Sequence, residues 1–181
     1  MIEGGVDVIQ LRAKKSPVTR IVDLATYLHK ITFAARVPLI VNDYAEVARR
    51  VPVEGVHVGQ DDDSVAMARN KADRKIIVGK STHSLEQANA AERDGADYIG
   101  FGPIFATPTK PDYKPIGMKE ITQVHADVTV PIFCIGGIKI DNLGEVMAAG
   151  GKRVAIVSGL LRAPDIAKYA RACKSLLEPE T

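Results

Sequence analysis

The segment Gln10-Leu11-Arg12-Ala13-Lys14 places an amide, a guanidinium and an ammonium at alternate positions. Period-two alternation puts all three on one face of a strand. A strand that ends at such a face presents two cations to one anion, and the guanidinium adds a planar fork suited to phosphoryl oxygens. The same residues also read as a strand running into a solvated turn at Lys14-Lys15-Ser16-Pro17. Carboxylates come next in the chain, as Asn42-Asp43 and Gly59-Gln60-Asp61-Asp62-Asp63, each directly after a short apolar run. A hard cation such as Mg²⁺ takes one or two carboxylates and completes its shell with waters and phosphate oxygens, so carboxylates at neighbouring strand ends suit a metal bridging to pyrophosphate. Helix N-capping is the competing use of these aspartates.

Further along, Gly79-Lys80-Ser81-Thr82-His83 offers hydroxyls for a phosphate or for a helix cap. His83 reads either as an acid or base or as a hydrogen-bonded structural histidine. The segment Gly102-Pro103-Ile104-Phe105-Ala106-Thr107-Pro108-Thr109-Lys110 holds two threonines and a lysine in a long loop ending near Gly117. That composition fits an anion site that also covers its ligand, and the apolar start of the loop argues against a merely solvated one. Gly136-Gly137-Ile138 and Val157-Ser158-Gly159 put glycines after two adjacent late strands. Backbone N–H groups can approach a phosphate there, which makes a second anion site of the kind that holds a phosphate monoester. His29 and His125 fall in helical patterns and His57 inside a strand, so no role is assigned to them. Cys134 and Cys173 lack metal-ligand spacing and read as buried, reduced thiols.

Short apolar runs rich in β-branched residues, alternating with helical patterns, must position these groups. Seven such runs occur, at residues 6–12, 38–42, 55–58, 75–78, 97–101, 130–135 and 153–157. The alternation predicts a parallel sheet with crossover helices, α/β in class. Leu85, Ala88 and Ala91 mark one helix face after Ser84, an N-cap with Gln87 three residues on, while Asp141 and Asp165 are expected to cap later helices. Three junctions repeat one pattern, at Gly4-Gly5-Val6, Asp94-Gly95-Ala96 and Gly150-Gly151-Lys152, each with a glycine where a helix exits. Only three residues precede Gly4, so the first junction reads as the exit of a helix mostly absent from the chain. A TIM barrel needs eight strands and about 200 to 250 residues. Seven strands in 181 residues predict a single-domain (β/α)8 barrel over residues 1–181 that lacks its first strand and most of its first helix.

Composition narrows the function class. The chain is 46% hydrophobic and 25% charged, values of a folded globular protein. Its net charge of +2 is too small to point to nucleic acid, and the basic residues are scattered without interleaved aromatics. No apolar run approaches the roughly 18 residues of a membrane span. The N-terminus has no basic region followed by an apolar stretch, so a cytoplasmic location is expected. An unpaired barrel edge would invite a second copy of the chain, which leaves a homo-oligomer open.

Taken in order, these segments resemble the thiamine-phosphate synthase family of thiamine biosynthesis, over the whole chain from Gly4 onward. The most specific parts are Gln-x-Arg-x-Lys at 10–14, Asn42-Asp43, Gly59-Gln60-x-Asp62, and Gly102-Pro103-x-Phe105-x-Thr107-x-Thr109-Lys110. The resemblance implies a (β/α)8 barrel joining hydroxymethylpyrimidine pyrophosphate to thiazole phosphate, with release of pyrophosphate. It implies that Gln10, Arg12, Lys14, Asn42, Ser81 and Lys110 hold the pyrimidine pyrophosphate, with Arg12, Lys14 and Lys110 catalytic. It further implies that Asp43 and Asp62 hold Mg²⁺, and that Thr107, Thr109, Gly137, Val157 and Ser158 hold the thiazole phosphate. Two other readings stand beside it. One is the thiazole tautomerase branch of the same superfamily, for which His83 would matter and the pyrophosphate-binding set would not. The other is a ligand-binding remnant without catalysis, suggested by the absent first strand.

Overall fold

The computed structural model describes residues 1–107 and 114–178, so Thr109 and Lys110 lie outside the described residues. The β-branched runs form seven strands: β1 (Ile9–Leu11), β2 (Leu39–Asn42), β3 (Gly55–Val58), β4 (Ile77–Thr82), β5 (Tyr98–Phe101), β6 (Ile132–Ile135) and β7 (Val154–Ala155). All neighbours are parallel and the strand order follows the sequence, which makes a seven-strand parallel half-barrel. Between the strands lie α1 (Val18–Ala34), α2 (Val65–Ala72), α3 (Leu85–Arg93), α4 (Ile121–Asp127) and α5 (Ile140–Ala148). After β7 come the short α6 (Ser158–Leu161) and then α7 (Ile166–Leu177). The crossover from β2 to β3 is the exception, a 3-10 segment at Ala45–Arg49.

Every residue of β2 and β3 is buried, as expected of strands covered on both faces. The core lies between the sheet and its helices, where Val41, Val56, Val78, Ile99 and Ile132 meet Ile21, Ala88, Ile121 and Leu143. The edge strands are shorter than their apolar runs predict. Among the described residues β1 pairs only with β2, and β7 only with β6, so their outer residues have no second ladder there to extend them. β4 runs further than expected, because Lys80 pairs with Val58 on one side and with Ile99 on the other. Ser81 therefore sits on the strand itself, and Val157-Ser158 open α6 where a continuation of β7 is expected.

Local signals set most helix ends. The Ser84 hydroxyl accepts from the Gln87 N–H, and Asp165 caps α7 by accepting from the Lys168 N–H. Asp141 is not a cap: it lies in the first turn of α5, whose Asn142 side chain accepts from the Lys139 N–H at 2.8 Å. Gly5, Gly95 and Gly150 all have positive φ, which explains the glycine at each repeated junction. The N-terminal 3-10 turn Ile2–Gly4 packs against α7, where Arg171 donates to the Glu3 carbonyl and Lys174 pairs with Asp7 at 2.7 Å. No helix among the described residues is long and apolar enough to cross a membrane.

Candidate functional site

β1 alternates as its sequence requires: Gln10, Arg12 and Lys14 are exposed, while Ile9, Leu11 and Ala13 pack on the core. The Lys14 ammonium lies 3.0 Å from Asp43 and 3.7 Å from Asp62. Asp43 follows the end of β2 with φ 70°, and its N–H donates to the His57 carbonyl at 2.8 Å. Asp62 accepts from the Gly59 N–H at 2.8 Å, which turns its carboxylate back toward the end of β3. The two carboxyl groups lie within hydrogen-bonding reach of one another. Partial burial, followed by the nearby Asp62, raises the Asp43 pKa despite the pull of Lys14. Burial alone would lower the Lys14 pKa, but Asp43 and Asp62 together raise it.

Two carboxylates and one ammonium at a single point leave a net negative charge presented by hard oxygen donors. That donor set fits a hard divalent cation. Among the described residues no group of three or more His, Cys, Asp or Glu side chains forms a complete cage, so water and ligand oxygens would have to fill the shell. Mg²⁺ favours that kind of partial site.

A polar chain crosses the sheet beside this cluster. Gln10 lies beside the Tyr98 hydroxyl, Tyr98 bonds to His57 Nδ1 at 3.0 Å, and His57 Nε2 bonds to the Ser81 hydroxyl at 2.9 Å. Burial pushes the Tyr98 phenol well above its ordinary pKa, so the phenol stays protonated. The His57 ring thus links two hydroxyls, and its tautomer sets the direction in which each of these bonds is donated. Asn42 is buried nearby on β2, and its Nδ2 has no acceptor among the described residues. A buried donor of this kind costs about 1–3 kcal/mol until something accepts from it.

Sequence reasoning missed His57 and Tyr98. The available signal was Gly79 in the interior of β4, because a glycine within a strand marks a close approach. A Cβ at Gly79 would fall 2.1 Å from the Tyr98 ring. His83 has both its backbone and its ring engaged: its N–H donates to the Gln87 side chain, and its Nδ1 contacts the Gly102 carbonyl.

A second depression, of about 560 Å³, opens beside the ends of β6 and β7. Gly137, Ser158 and Gly159 line it, as the pair of glycine-bearing turns requires. Thr107 is half-buried just after Phe105 and Ala106, which also line this pocket, whereas Val157 is exposed and outside the lining. Phe105 donates its N–H to the Gly136 carbonyl at 3.0 Å, which holds the segment after β5 against the turn after β6. Lys139, Arg162 and Tyr169 also line the pocket and were not expected from sequence. With Asp141 also in the lining, the two cations leave the wall with a net positive charge.

The family model described as thiamine monophosphate synthase matches residues 1–160. A thiamine-phosphate synthase of Chloroflexus aurantiacus is 45% identical over 177 residues, covering 97% of this chain and 82% of the relative. One from Halalkalibacterium halodurans is 41% identical over 178 residues, with 98% and 84% covered. Among solved structures, a thiamine phosphate pyrophosphorylase from Pyrococcus furiosus matches with a TM-score of 0.90 at 33% identity, over 98% of this chain and 85% of that one.

Proposed function

The chain belongs to the thiamine monophosphate synthase family, and on that premise we propose how its residues divide the work of the transferase reaction. The activity is that of a thiamine-phosphate synthase. It joins hydroxymethylpyrimidine pyrophosphate to thiazole phosphate, giving thiamine phosphate and pyrophosphate. The seven strands are read as seven of the eight in a single-domain (β/α)8 barrel, a reading supported by their parallel sequential order and by α7 packing on Ile2–Gly4. A cytoplasmic setting suits its small phosphorylated substrates.

The convergence of Lys14, Asp43 and Asp62 carries the assignment of the pyrophosphate half. Arg12, Lys14 and Lys110 supply fixed positive charge to the departing pyrophosphate, Asn42 and Ser81 donate to it, and Gln10 orients the pyrimidine end. Asp43 and Asp62 would hold Mg²⁺, which when bound supplies further neutralisation of the pyrophosphate charge. The electron-rich aminopyrimidine stabilises the methylene cation left behind, so no protein nucleophile is required. Gly137 and Ser158, with Thr107 and Thr109, hold the thiazole phosphate, which keeps the thiazole nitrogen in line with that carbon. Catalysis is then electrostatic stabilisation together with positioning.

The thiazole tautomerase reading is not favoured. That reaction has no use for the cluster of Lys14 with two carboxylates, and the His83 ring is engaged by the Gly102 carbonyl. Arg12→Ala, Asp43→Ala and Lys110→Ala are each expected to cut thiamine phosphate formation roughly 10²-fold or more, the scale for removing a preorganised electrostatic group. EDTA is expected to abolish turnover. Near-normal rates in all three variants would overturn the residue assignment, and full activity in EDTA would overturn the metal.

A further inference from the structure

We propose that Lys80 is a positioning residue for Asp62, acting from the opposite face of the sheet; this rests on the reading of Asp43 and Asp62 as the Mg²⁺ ligands. Alternation along β4 puts Lys80 on the side away from Gly79 and Ser81, and so away from the His57 chain. From there its ammonium donates to the Gly59 carbonyl at 2.7 Å and lies 3.3 Å from the Asp63 carbonyl. These two carbonyls are the two ends of the loop that carries Asp62.

The loop needs such a hold. Three consecutive aspartates, Asp61 to Asp63, would drive it apart by charge repulsion, and one of them must be aimed at Asp43. Lys71 takes the Asp63 side chain at 2.8 Å, and the Gln60 side chain donates to the Ser81 carbonyl. Within the loop, Asp62 N–H donates to the same Gly59 carbonyl that Lys80 engages, at 3.4 Å, while Gly59 N–H donates to the Asp62 carboxylate. Lys80 thus fastens the carbonyl around which Asp62 is folded. Its charge also offsets the three carboxylates without competing for the metal-facing oxygens. Groups one layer behind a metal ligand change metal affinity by roughly 10- to 100-fold when they are removed.

Lys80→Met keeps most of the side chain and removes the ammonium, whereas Lys80→Arg keeps the charge. Binding of Mn²⁺ to the substrate-free chain, read from the EPR signal of free Mn²⁺, is the direct measurement. The Mg²⁺ concentration at half-maximal turnover is the second. Lys80→Met is expected to weaken Mn²⁺ binding and raise the Mg²⁺ requirement by roughly tenfold or more, with the KM for thiazole phosphate unchanged and with partial recovery in Lys80→Arg. A purely structural role would lower the melting temperature without moving the metal response, and that result overturns the proposal. Asp62→Asn serves as the reference. Loss of Mn²⁺ binding in Asp62→Asn but not in Lys80→Met refutes the positioning role alone. Unchanged binding in Asp62→Asn removes the metal assignment, and the proposal falls with it.

Discussion

The side chains Tyr98, His57 and Ser81 come from three different strands and meet through single hydrogen bonds, with Gln10 of a fourth strand beside the Tyr98 hydroxyl, so each depends on its neighbours for its orientation. The direction of donation along that chain matters more than the number of bonds. The His57 ring bridges the Tyr98 and Ser81 hydroxyls, and its tautomer decides whether Ser81 has a proton to donate toward the site. Tyr98→Phe removes the hydroxyl while keeping the ring packed edge-on against Phe133. The variant is expected to lose about 1 kcal/mol in urea unfolding, the net worth of a buried hydrogen bond. It should also raise the KM for the pyrimidine pyrophosphate several-fold while leaving that for thiazole phosphate near normal. Equal effects on both substrates would mean that the chain serves packing and not Ser81.

Strands and helices set how far such an arrangement can be read in advance. The shared face of Gln10, Arg12 and Lys14 is legible because a half-buried edge strand alternates, and the nearness of Asp43 and Asp62 to strand ends because sequence delimits β2 and β3 closely. β4 outruns its apolar sequence pattern for a physical reason. Gly79-Lys80-Ser81 carries no apolar pattern, yet ladders on both sides keep it extended, so partner strands decided what local composition could not. The setting of His57 is hidden in the sequence for a related reason, since its partners Tyr98 and Ser81 are distant in sequence and join it through register. Helix α4 gives a pH test at the same scale. Burial first, then the charges of Lys152 and Arg153, lower the His125 pKa, and its Nε2 is buried without a hydrogen-bond partner among the described residues. The unfolded chain therefore takes up this proton first as pH falls. His125 is expected to cost stability progressively as pH drops below about 6.5, the ordinary histidine value. His125→Gln should flatten that part of a stability-versus-pH curve, and an unchanged slope would count against the assignment.

At the scale of the whole molecule, the two ends of the chain meet and the second pocket depends on that meeting. Helix α7 packs so closely on Gly4 that a Cβ there would lie 2.5 Å from the Ala167 carbonyl and 2.6 Å from the Ala170 Cβ. The same helix carries Tyr169, whose hydroxyl accepts the Ile140 N–H at 2.8 Å and lines the pocket assigned to thiazole phosphate. Among the described residues, those assigned to the pyrophosphate half lie on β1 to β4 and the loops after them, and α7 reaches that half only through Lys174, which holds Asp7 ahead of β1. Gly4→Val should therefore lift α7 and separate the two halves functionally. The cysteines report on this directly, because Cys173 lies buried on α7 and Cys134 on β6, its thiol pushed up to about 11 by burial. In Gly4→Val, iodoacetamide is expected to label Cys173 well before global unfolding, while Cys134 reacts only with it. The KM for thiazole phosphate should rise several-fold, and the Mg²⁺ requirement should stay unchanged. If Cys173 is labelled no faster than in the parent chain, α7 is not held by Gly4. If labelling accelerates but the KM does not move, then α7 closes the fold without shaping the pocket.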